Sequence, residues 1–285
     1  MKAFLFFLLA SCLVFTTSIP AFAQDPGPPK VLLIVREEIK TGMMGPHAIE
    51  ANNVVQIYSK AKSPWHRLAM VPVAGNENEV TYFWGYDSFA DMDKSNKDLD
   101  EIGVTYKADF DRNRHEGEDY HSSQRDSIAV FRPDLSYNAA ADIPNMRYMR
   151  IQTIRVKPGH GRDFEEGRKI VNAAHAKAKI DEHMAVYQVM GGAQNGTYLV
   201  IIPWASLDGM ATIPHGKDYW DAMGDNNREK TEKIENDSIV FTSTDIYAFA
   251  PQISYVSERM IASNPGFWTL KPMAAPAAAP KGKKK

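Results

Sequence analysis

The sequence predicts an α+β fold in which one unit, with the element order β-α-β-β-α-β, occurs twice in the chain. Two observations predict it. Residues 86–92 have a counterpart in residues 204–210, and residues 132–137 have one in residues 250–255, each 118 residues further on. The apolar runs and turn residues also follow in the same order in both halves. A period of this length indicates a duplicated small domain rather than a solenoid.

The first unit begins with a continuous apolar run of β-forming residues after a Pro-rich segment, which predicts a strand covered on both faces. After a turn at residues 40–42, apolar residues at helical spacing predict a helix that Pro64 ends. Residues 88–124 are polar and helix-prone. The predicted strands are residues 31–35, 67–73, 80–86 and 128–131.

The second unit repeats this order. The turn at residues 156–161 leads into a helix with one apolar face, and residues 206–236 predict a helix in two pieces, broken near Pro214 and Gly224. The predicted strands are residues 148–156, 185–189, 197–202 and 239–249.

The remaining segments complete the domain organisation. We expect a signal peptide at residues 1–23, and the two units at residues 31–137 and 147–256. The other segments are a linker at 24–30, a linker at 138–146, a C-terminal extension at 257–273 and a disordered Ala/Pro/Lys tail at 274–285.

The N-terminal segment predicts export. One Lys precedes a short apolar stretch, and Ala21 and Ala23 fit a signal-peptidase site, so cleavage after Ala23 is predicted. The apolar stretch is too short for a membrane span of about 20 residues. We therefore expect a periplasmic or secreted protein with no membrane span after signal removal. Lipoprotein processing at Cys12 is the alternative.

Composition excludes several classes of function. Cys12 is the only cysteine, so cleavage after Ala23 leaves a mature chain without disulfides, thiol nucleophiles or Cys-bound metals. Five of the 33 basic residues lie in the predicted leader and tail, against 35 acidic residues in the whole chain. The folded part is therefore acidic, which argues against binding to nucleic acid.

The doubled order β-α-β-β-α-β is the ferredoxin-like pattern, in which each unit places both helices on one face of an antiparallel sheet. The other face needs a cover, and the sheet of the second unit can supply it. We therefore expect the two sheets to pack into an intramolecular, pseudo-dimeric α+β barrel.

One motif resembles a known family. Residues 156–161, of the form Val-Lys-Pro-Gly-x-Gly, precede an acidic amphipathic helix, as in the dimeric α+β-barrel superfamily. That group includes antibiotic-biosynthesis-monooxygenase-like, EthD-like and NIPSNAP-like proteins. The resemblance covers residues 31–137 and 147–255 and suggests a single-chain version of the usual homodimer. The first unit departs from the motif, because it has Lys40-Thr41-Gly42 at this place.

The resemblance implies a ligand inside the barrel. The leading prediction is an exported protein that binds a small apolar or aromatic molecule there. The alternative is a cofactor-independent monooxygenase-like enzyme that acts on an aromatic or phenolic substrate. A non-catalytic protein-interaction module with a filled barrel is the second alternative. No cofactor is predicted, and a homo-oligomer is possible.

Candidate ligand-binding residues come from alternation along the strands. Arg150 and Gln152 share one face of their strand, opposite the apolar Met149 and Ile151. If the apolar side meets the helices, both polar residues point into the barrel. Three aromatic residues of other strands are further candidates for stacking against a flat ligand. They are Tyr82, Trp84 and Tyr187.

Histidines are the candidate catalytic bases. His66 and His183 stand at equivalent positions before the second strand of each unit, and His215 lies beside two aromatic residues. His47 and His175 lie on matching helix stripes and are expected to pack between helix and sheet. Residues 115–121 contain two histidines among charged residues, and the surrounding run at residues 109–125 is expected to form a solvated helix. No metal site is predicted.

Overall fold

The computed structural model describes residues 27–116, 120–212 and 216–271, and residue 273. The predicted signal peptide, the predicted Ala/Pro/Lys tail and the candidate base His215 lie outside these residues. Within them, every helix is too short or too polar to cross a membrane.

Strands and helices alternate as the sequence predicts. The strands are β1 (Val31–Ile39), β2 (Arg67–Ala74), β3 (Glu79–Tyr86), β4 (His121–Phe131), β5 (Tyr148–Val156), β6 (Ala185–Gly191), β7 (Thr197–Trp204) and β8 (Ile239–Phe249). The helices are α1 (Met44–Ala61), α2 (Phe89–Thr105), α3 (Lys107–Glu116), α4 (Gly161–Ala178), α5 (Lys217–Met223), α6 (Asp225–Ser238), α7 (Glu258–Ser263) and α8 (Pro265–Trp268).

The strands form one closed antiparallel barrel in the order β1-β3-β2-β8-β5-β7-β6-β4, and β4 pairs back to β1. Each half supplies four neighbouring strands, with its first strand between its third and its last, as in a ferredoxin-like unit. The halves meet at two seams, β2 with β8 and β4 with β6. The predicted fold class is therefore confirmed.

The two halves correspond closely in local geometry. Helices α1 and α4 both contain 18 residues, and each ends at a lysine in the left-handed conformation, Lys62 (φ 52°) and Lys179 (φ 53°). The turns before these helices both place a glycine at positive φ, Gly42 and Gly159. Glycine adopts this conformation without steric cost, so both turns retain it although Pro158 has no counterpart in the first half.

Apolar side chains fill both faces of the barrel wall. One continuous cluster of buried residues takes members from all eight strands and therefore lies inside the barrel. It includes Leu32, Phe83, Met149, Tyr187 and Phe249. The alternate residues of the same strands form separate clusters outside, where residues of α1, α2 and α4 pack against the wall. The barrel is thus a packed double layer in which both faces of most strands are apolar.

Strand β4 begins at His121, earlier than the predicted strand at residues 128–131. Its first residues are polar and largely exposed, so they give no apolar alternation to read from the sequence. They form a strand because they pair with β1 as far as Ile39. The prediction of a solvated helix over residues 109–125 is therefore wrong from His121 onward.

The C-terminal extension is ordered and covers one end of the barrel. It forms α7 and α8, and the side chain of Trp268, 1% exposed, packs against Phe249 with 5.7 Å between the ring centroids. The indole N–H of Trp268 donates a hydrogen bond of 2.8 Å to the carbonyl of Pro144, in the linker between the halves. The extension and the linker therefore contact each other at the same end of the barrel.

The seam between β4 and β6 gives a test of barrel closure. Gly192 follows β6 at φ +82°, and a Cβ there would overlap the backbone of Asp126 and Ser127. We predict that Gly192→Ala lowers the free energy of unfolding by about 2 kcal/mol or more. Urea unfolding followed by circular dichroism measures this change.

Its neighbour supplies the control. A Cβ on Gly191 meets nothing within 4 Å, and its φ is not in the left-handed region. Gly191→Ala is therefore expected to change the free energy of unfolding by less than about 1 kcal/mol. Equal effects of the two substitutions would contradict the close approach at this seam.

Candidate functional site

A cavity of about 400 Å³ opens into the barrel at the end where β1 and β5 begin. Inward-facing side chains of the strands form its wall, and three irregular segments cover it: residues 27–29, the linker between the halves and residues 256–260. We call this cavity the inner chamber. Its apolar wall includes Leu32, Leu68, Phe83, Met149, Ala185 and Ile201.

A second cavity of about 510 Å³ continues the inner chamber toward solvent. The two share His66, Gly85, Ile143 and Met260 in their walls, so they are parts of one cleft. We call the outer part the vestibule. Charged side chains line it, namely Asp87, Asp91 and Arg259. A ligand with an apolar body and a polar end would find matching surroundings in both parts.

His66 stands where the inner chamber meets the vestibule. Its ring stacks on the ring of Tyr255, with 5.2 Å between centroids and 19° between planes. The hydroxyl of Tyr255 donates a hydrogen bond of 2.8 Å to the carbonyl of Ser63, which fixes the supporting ring. Partial burial in the cleft wall lowers the pKa of His66, although part of the side chain remains exposed, because the wall solvates a charged imidazole less well than water does. At neutral pH the side chain is therefore a neutral imidazole, the form that accepts a proton.

Tyr187 forms part of the chamber wall and holds one of the covering segments. Its hydroxyl donates a hydrogen bond of 2.9 Å to the carbonyl of Pro29, and its ring packs 5.4 Å from that of Phe131. Pro29 in turn lies so close to Gly85 that a Cβ there would be 2.5 Å from Cγ of Pro29. Burial raises the pKa of Tyr187, so it remains a neutral phenol that can donate this bond.

A polar network fills the barrel beyond the chamber. The Tyr247 hydroxyl donates to Oε1 of Glu79 at 2.8 Å, and the Thr81 hydroxyl donates to the same oxygen at 3.0 Å. Arg36 forms an ion pair with Glu79 at 3.5 Å. Because Glu79 is buried, these partners are needed to keep a carboxylate inside the barrel. The network therefore places polar groups deeper in the barrel than the apolar chamber.

The predicted orientation of Arg150 and Gln152 is wrong. Met149 and Ile151 belong to the cluster inside the barrel, so the alternate residues of β5 point outward. Gln152 donates a hydrogen bond of 3.3 Å to the hydroxyl of Thr242 on β8. The prediction failed because it assumed that only the helix side of the sheet is apolar.

Tyr82 and Trp84 also point outward and do not line either cavity. Tyr82 packs with Ala51 of α1, and Trp84 packs with Tyr58 of the same helix. The guanidinium of Arg67 lies over the Tyr82 ring, 4.4 Å from its centroid. These aromatic residues are core under the helices, whereas Phe83 between them faces the chamber.

The predicted histidines separate in the structure. His66 lines the cleft, whereas His183 is half-buried and donates from Nδ1 to the carbonyl of Asn138 at 2.7 Å. His183 lines neither cavity, so the two equivalent histidines do not face each other. His47 and His175 are buried between helix and sheet, as predicted.

Several chamber residues were not identified from the sequence. Met260 and Ser257 lie in the C-terminal extension, and Ile143 lies in the linker. They reach the cleft only because these segments fold back over the barrel end. The adjacent aromatic residues Phe267 and Trp268 are a signal in the sequence that this extension packs against the domain, and both join the interior cluster.

Comparisons with known proteins agree with the fold. No protein-family model and no curated protein matches the chain. Similar solved structures include a candidate monooxygenase from Fusobacterium nucleatum subsp. nucleatum, with a TM-score of 0.50 and 10% identity. That match covers 78% of this chain and 93% of the other.

Two further structures resemble the chain less closely. A candidate monooxygenase from Lactobacillus acidophilus has a TM-score of 0.49 and 9% identity, and covers 79% of this chain and 94% of its own. A mutant chlorite dismutase from Candidatus Nitrospira defluvii has a TM-score of 0.48 and 8% identity, with 82% and 95% covered. At these identities the comparison concerns the fold alone: the chain has the α+β-barrel architecture of the dimeric α+β-barrel proteins.

Proposed function

We propose that this chain is a monooxygenase-like enzyme that binds a small apolar or aromatic molecule in the inner chamber and uses His66 as a base. One observation carries the proposal: an apolar cavity of about 400 Å³ has a neutral histidine at its mouth. The described similarity to a candidate monooxygenase of the same fold supports the choice of reaction.

The chamber has the properties of a small-molecule site. Its volume lies at the lower part of the range of about 300–1,000 Å³ that is common for ligand pockets. The rings of Phe83 and Tyr187 offer flat apolar surfaces to an aromatic ligand. Of the three aromatic residues predicted from the sequence to contact a ligand, Tyr187 lines the chamber, whereas Tyr82 and Trp84 do not.

The proposed reaction needs a proton acceptor and molecular oxygen. His66 accepts the proton of a phenol or of an activated CH₂ group, and the resulting anion donates electrons to O₂. If the CH₂ becomes a carbonyl, the substrate itself supplies the four electrons that reduce O₂. One oxygen atom enters the product, and the other leaves as water. Apolar walls favour this chemistry, because they exclude water from the anion.

A non-catalytic binding protein is the second candidate. A histidine that acts as a base is usually oriented by a third polar group. Among the described residues His66 has a stacking partner, Tyr255, and no carboxylate within hydrogen-bonding distance. Turnover therefore separates the two candidates, whereas ligand binding is common to both.

Filling the chamber tests the binding site. Ala185 lines the chamber, so Ala185→Leu is expected to weaken binding of 1-naphthol by about tenfold or more, as steric overlap removes ligand contacts. Quenching of naphthol fluorescence measures the dissociation constant. The control is Ala205→Leu, the same change at an exposed position. Equal binding by both variants would show that the ligand lies elsewhere.

Substitution of His66 tests the chemistry. With an anthrone as substrate, His66→Gln is expected to reduce oxygen consumption by about 10²–10⁴-fold while naphthol binding is retained. Because burial lowers the pKa of His66, the wild-type rate should rise with pH through a pKa below the usual 6.5 and then level off. His183→Gln, at the equivalent position outside the cleft, is the control. Normal turnover in His66→Gln would leave the binding protein as the function.

Export and a common origin of the two halves remain predictions of the sequence. Cleavage after Ala23 would leave Gln24 three residues before Gly27, where the covering segment of the inner chamber begins. N-terminal sequencing of the protein from its native host tests this prediction, and an intact Met1 or a lipidated Cys12 would contradict it.

A further inference from the structure

Three residues that are distant in sequence meet on the outside of the barrel in the first half. Glu37 lies on the outward face of β1, His47 in the first turns of α1, and His121 at the start of β4. We call them the Glu37 cluster. Each of the three side chains offers one atom that can bind a metal, and these three atoms all lie within 4.8 Å of one another.

The two distances from Glu37 to the histidines are close to those between neighbouring ligands of one metal ion. Oε2 of Glu37 lies 2.9 Å from Nε2 of His47 and 3.3 Å from Nε2 of His121. An ion with bonds of about 2.1 Å to nitrogen and oxygen places neighbouring ligand atoms about 3.0–3.4 Å apart. The side chains therefore need only small adjustments to hold an ion between them.

The cluster combines a protected interior with access from solvent. The His47 side chain is 4% exposed, whereas that of His121 is 33% exposed. The Nε2 atom of His47 and the Oε2 atom of Glu37 also share a hydrogen bond, so a bound ion would take the place of the proton between them.

The second half of the chain shows that the fold does not require polar residues here. By strand register, Ile154 takes the place of Glu37 and Ile239 that of His121, and Phe164 occupies the matching position on α4. All three belong to or pack against the apolar cluster under α4. In the first half, the buried Nδ1 of His47 has no hydrogen-bond partner among the described residues. Burying an unpaired imidazole nitrogen costs free energy, and burying Phe164 at the matching position does not. The polar residues of the Glu37 cluster therefore need another favourable interaction to offset this cost.

We propose that Glu37, His47 and His121 bind a divalent first-row transition-metal ion of the zinc or iron(II) type. Two imidazoles and one carboxylate are a donor set that these ions prefer, whereas Ca²⁺ and Mg²⁺ prefer oxygen ligands alone. Three protein ligands leave at least one coordination position open for water or another ligand. This site is separate from the proposed oxygenase site. Leu32, near the start of β1, lines the inner chamber, whereas Glu37 lies near the other end of the same strand.

Cobalt(II) is a suitable probe, because its visible absorption reports nitrogen and oxygen ligands in a low-symmetry site. The full chain, dialysed against a chelator, is titrated with Co²⁺ at pH 7.5, and Zn²⁺ is then added in competition. We expect one Co²⁺ per chain, displaced by Zn²⁺ and unaffected by Ca²⁺ or Mg²⁺.

Variants locate the ion. His47→Phe, which introduces the residue of the second half, and Glu37→Gln are each expected to weaken binding on the order of a hundredfold. Zn²⁺ should raise the melting temperature of the wild type but not of these variants, because an ion bound only by the folded state stabilises it. His160→Ala removes an exposed histidine paired with Asp163 at 2.9 Å and serves as the control, with binding unchanged.

The combined variant Glu37→Ile, His47→Phe and His121→Ile reproduces the apolar residues of the second half, so it tests the site in a chain that is expected to fold. Unchanged Co²⁺ binding in this folded variant would overturn the proposal, as would absence of saturable binding in the wild type. Naphthol binding should be unaffected in it, so a failure of the metal site and a failure of the inner chamber are distinguishable.

Discussion

The barrel depends on the two seams at which the strands of one half pair with those of the other. A ferredoxin-like sheet standing alone has two exposed edges and one uncovered apolar face. Pairing β2 with β8 and β4 with β6 removes all the edges at once, and the inner faces then bury each other. Burial of one large apolar side chain contributes about 1.5–3 kcal/mol, and the interior cluster takes such side chains from every strand. The inner chamber exists only because the seams hold this enclosure closed.

The architecture was predictable because it rests on long-range periodicity, whereas the site was not, because it rests on the direction of single side chains. Alternation along β5 separates Met149 and Ile151 from Arg150 and Gln152, but it does not say which set points inward. In a sheet with helices on one side and a closed barrel on the other, both faces are apolar. The same ambiguity placed Tyr82 in the barrel, although its neighbour Phe83 lines the chamber. The covering segments, which complete the cleft, carry no periodic pattern at all.

Equivalence between the halves predicts where a residue stands but not what surrounds it. His66 and His183 both precede the second strand of their half, yet only His66 has an aromatic ring stacked against it. That ring belongs to Tyr255, and its counterpart Tyr137 packs instead beside His175, 5.3 Å away. The loops and termini differ between the halves, and they determine which of two equivalent histidines lines a cavity.

Differences between equivalent positions are therefore more informative than the similarities. The similarities follow from one requirement, a strand and helix pattern that closes the barrel, and the apolar residues Ile154, Phe164 and Ile239 meet it in the second half. Glu37, His47 and His121 meet the same steric requirement with groups that need partners when buried. A search for histidines at helical spacing along the sequence misses such a cluster, because its members come from a strand, a helix and a second strand. Since packing alone is satisfied by the apolar set, the polar set is best explained by an interaction that apolar residues cannot make, and two imidazoles beside a carboxylate are suited to a metal ion.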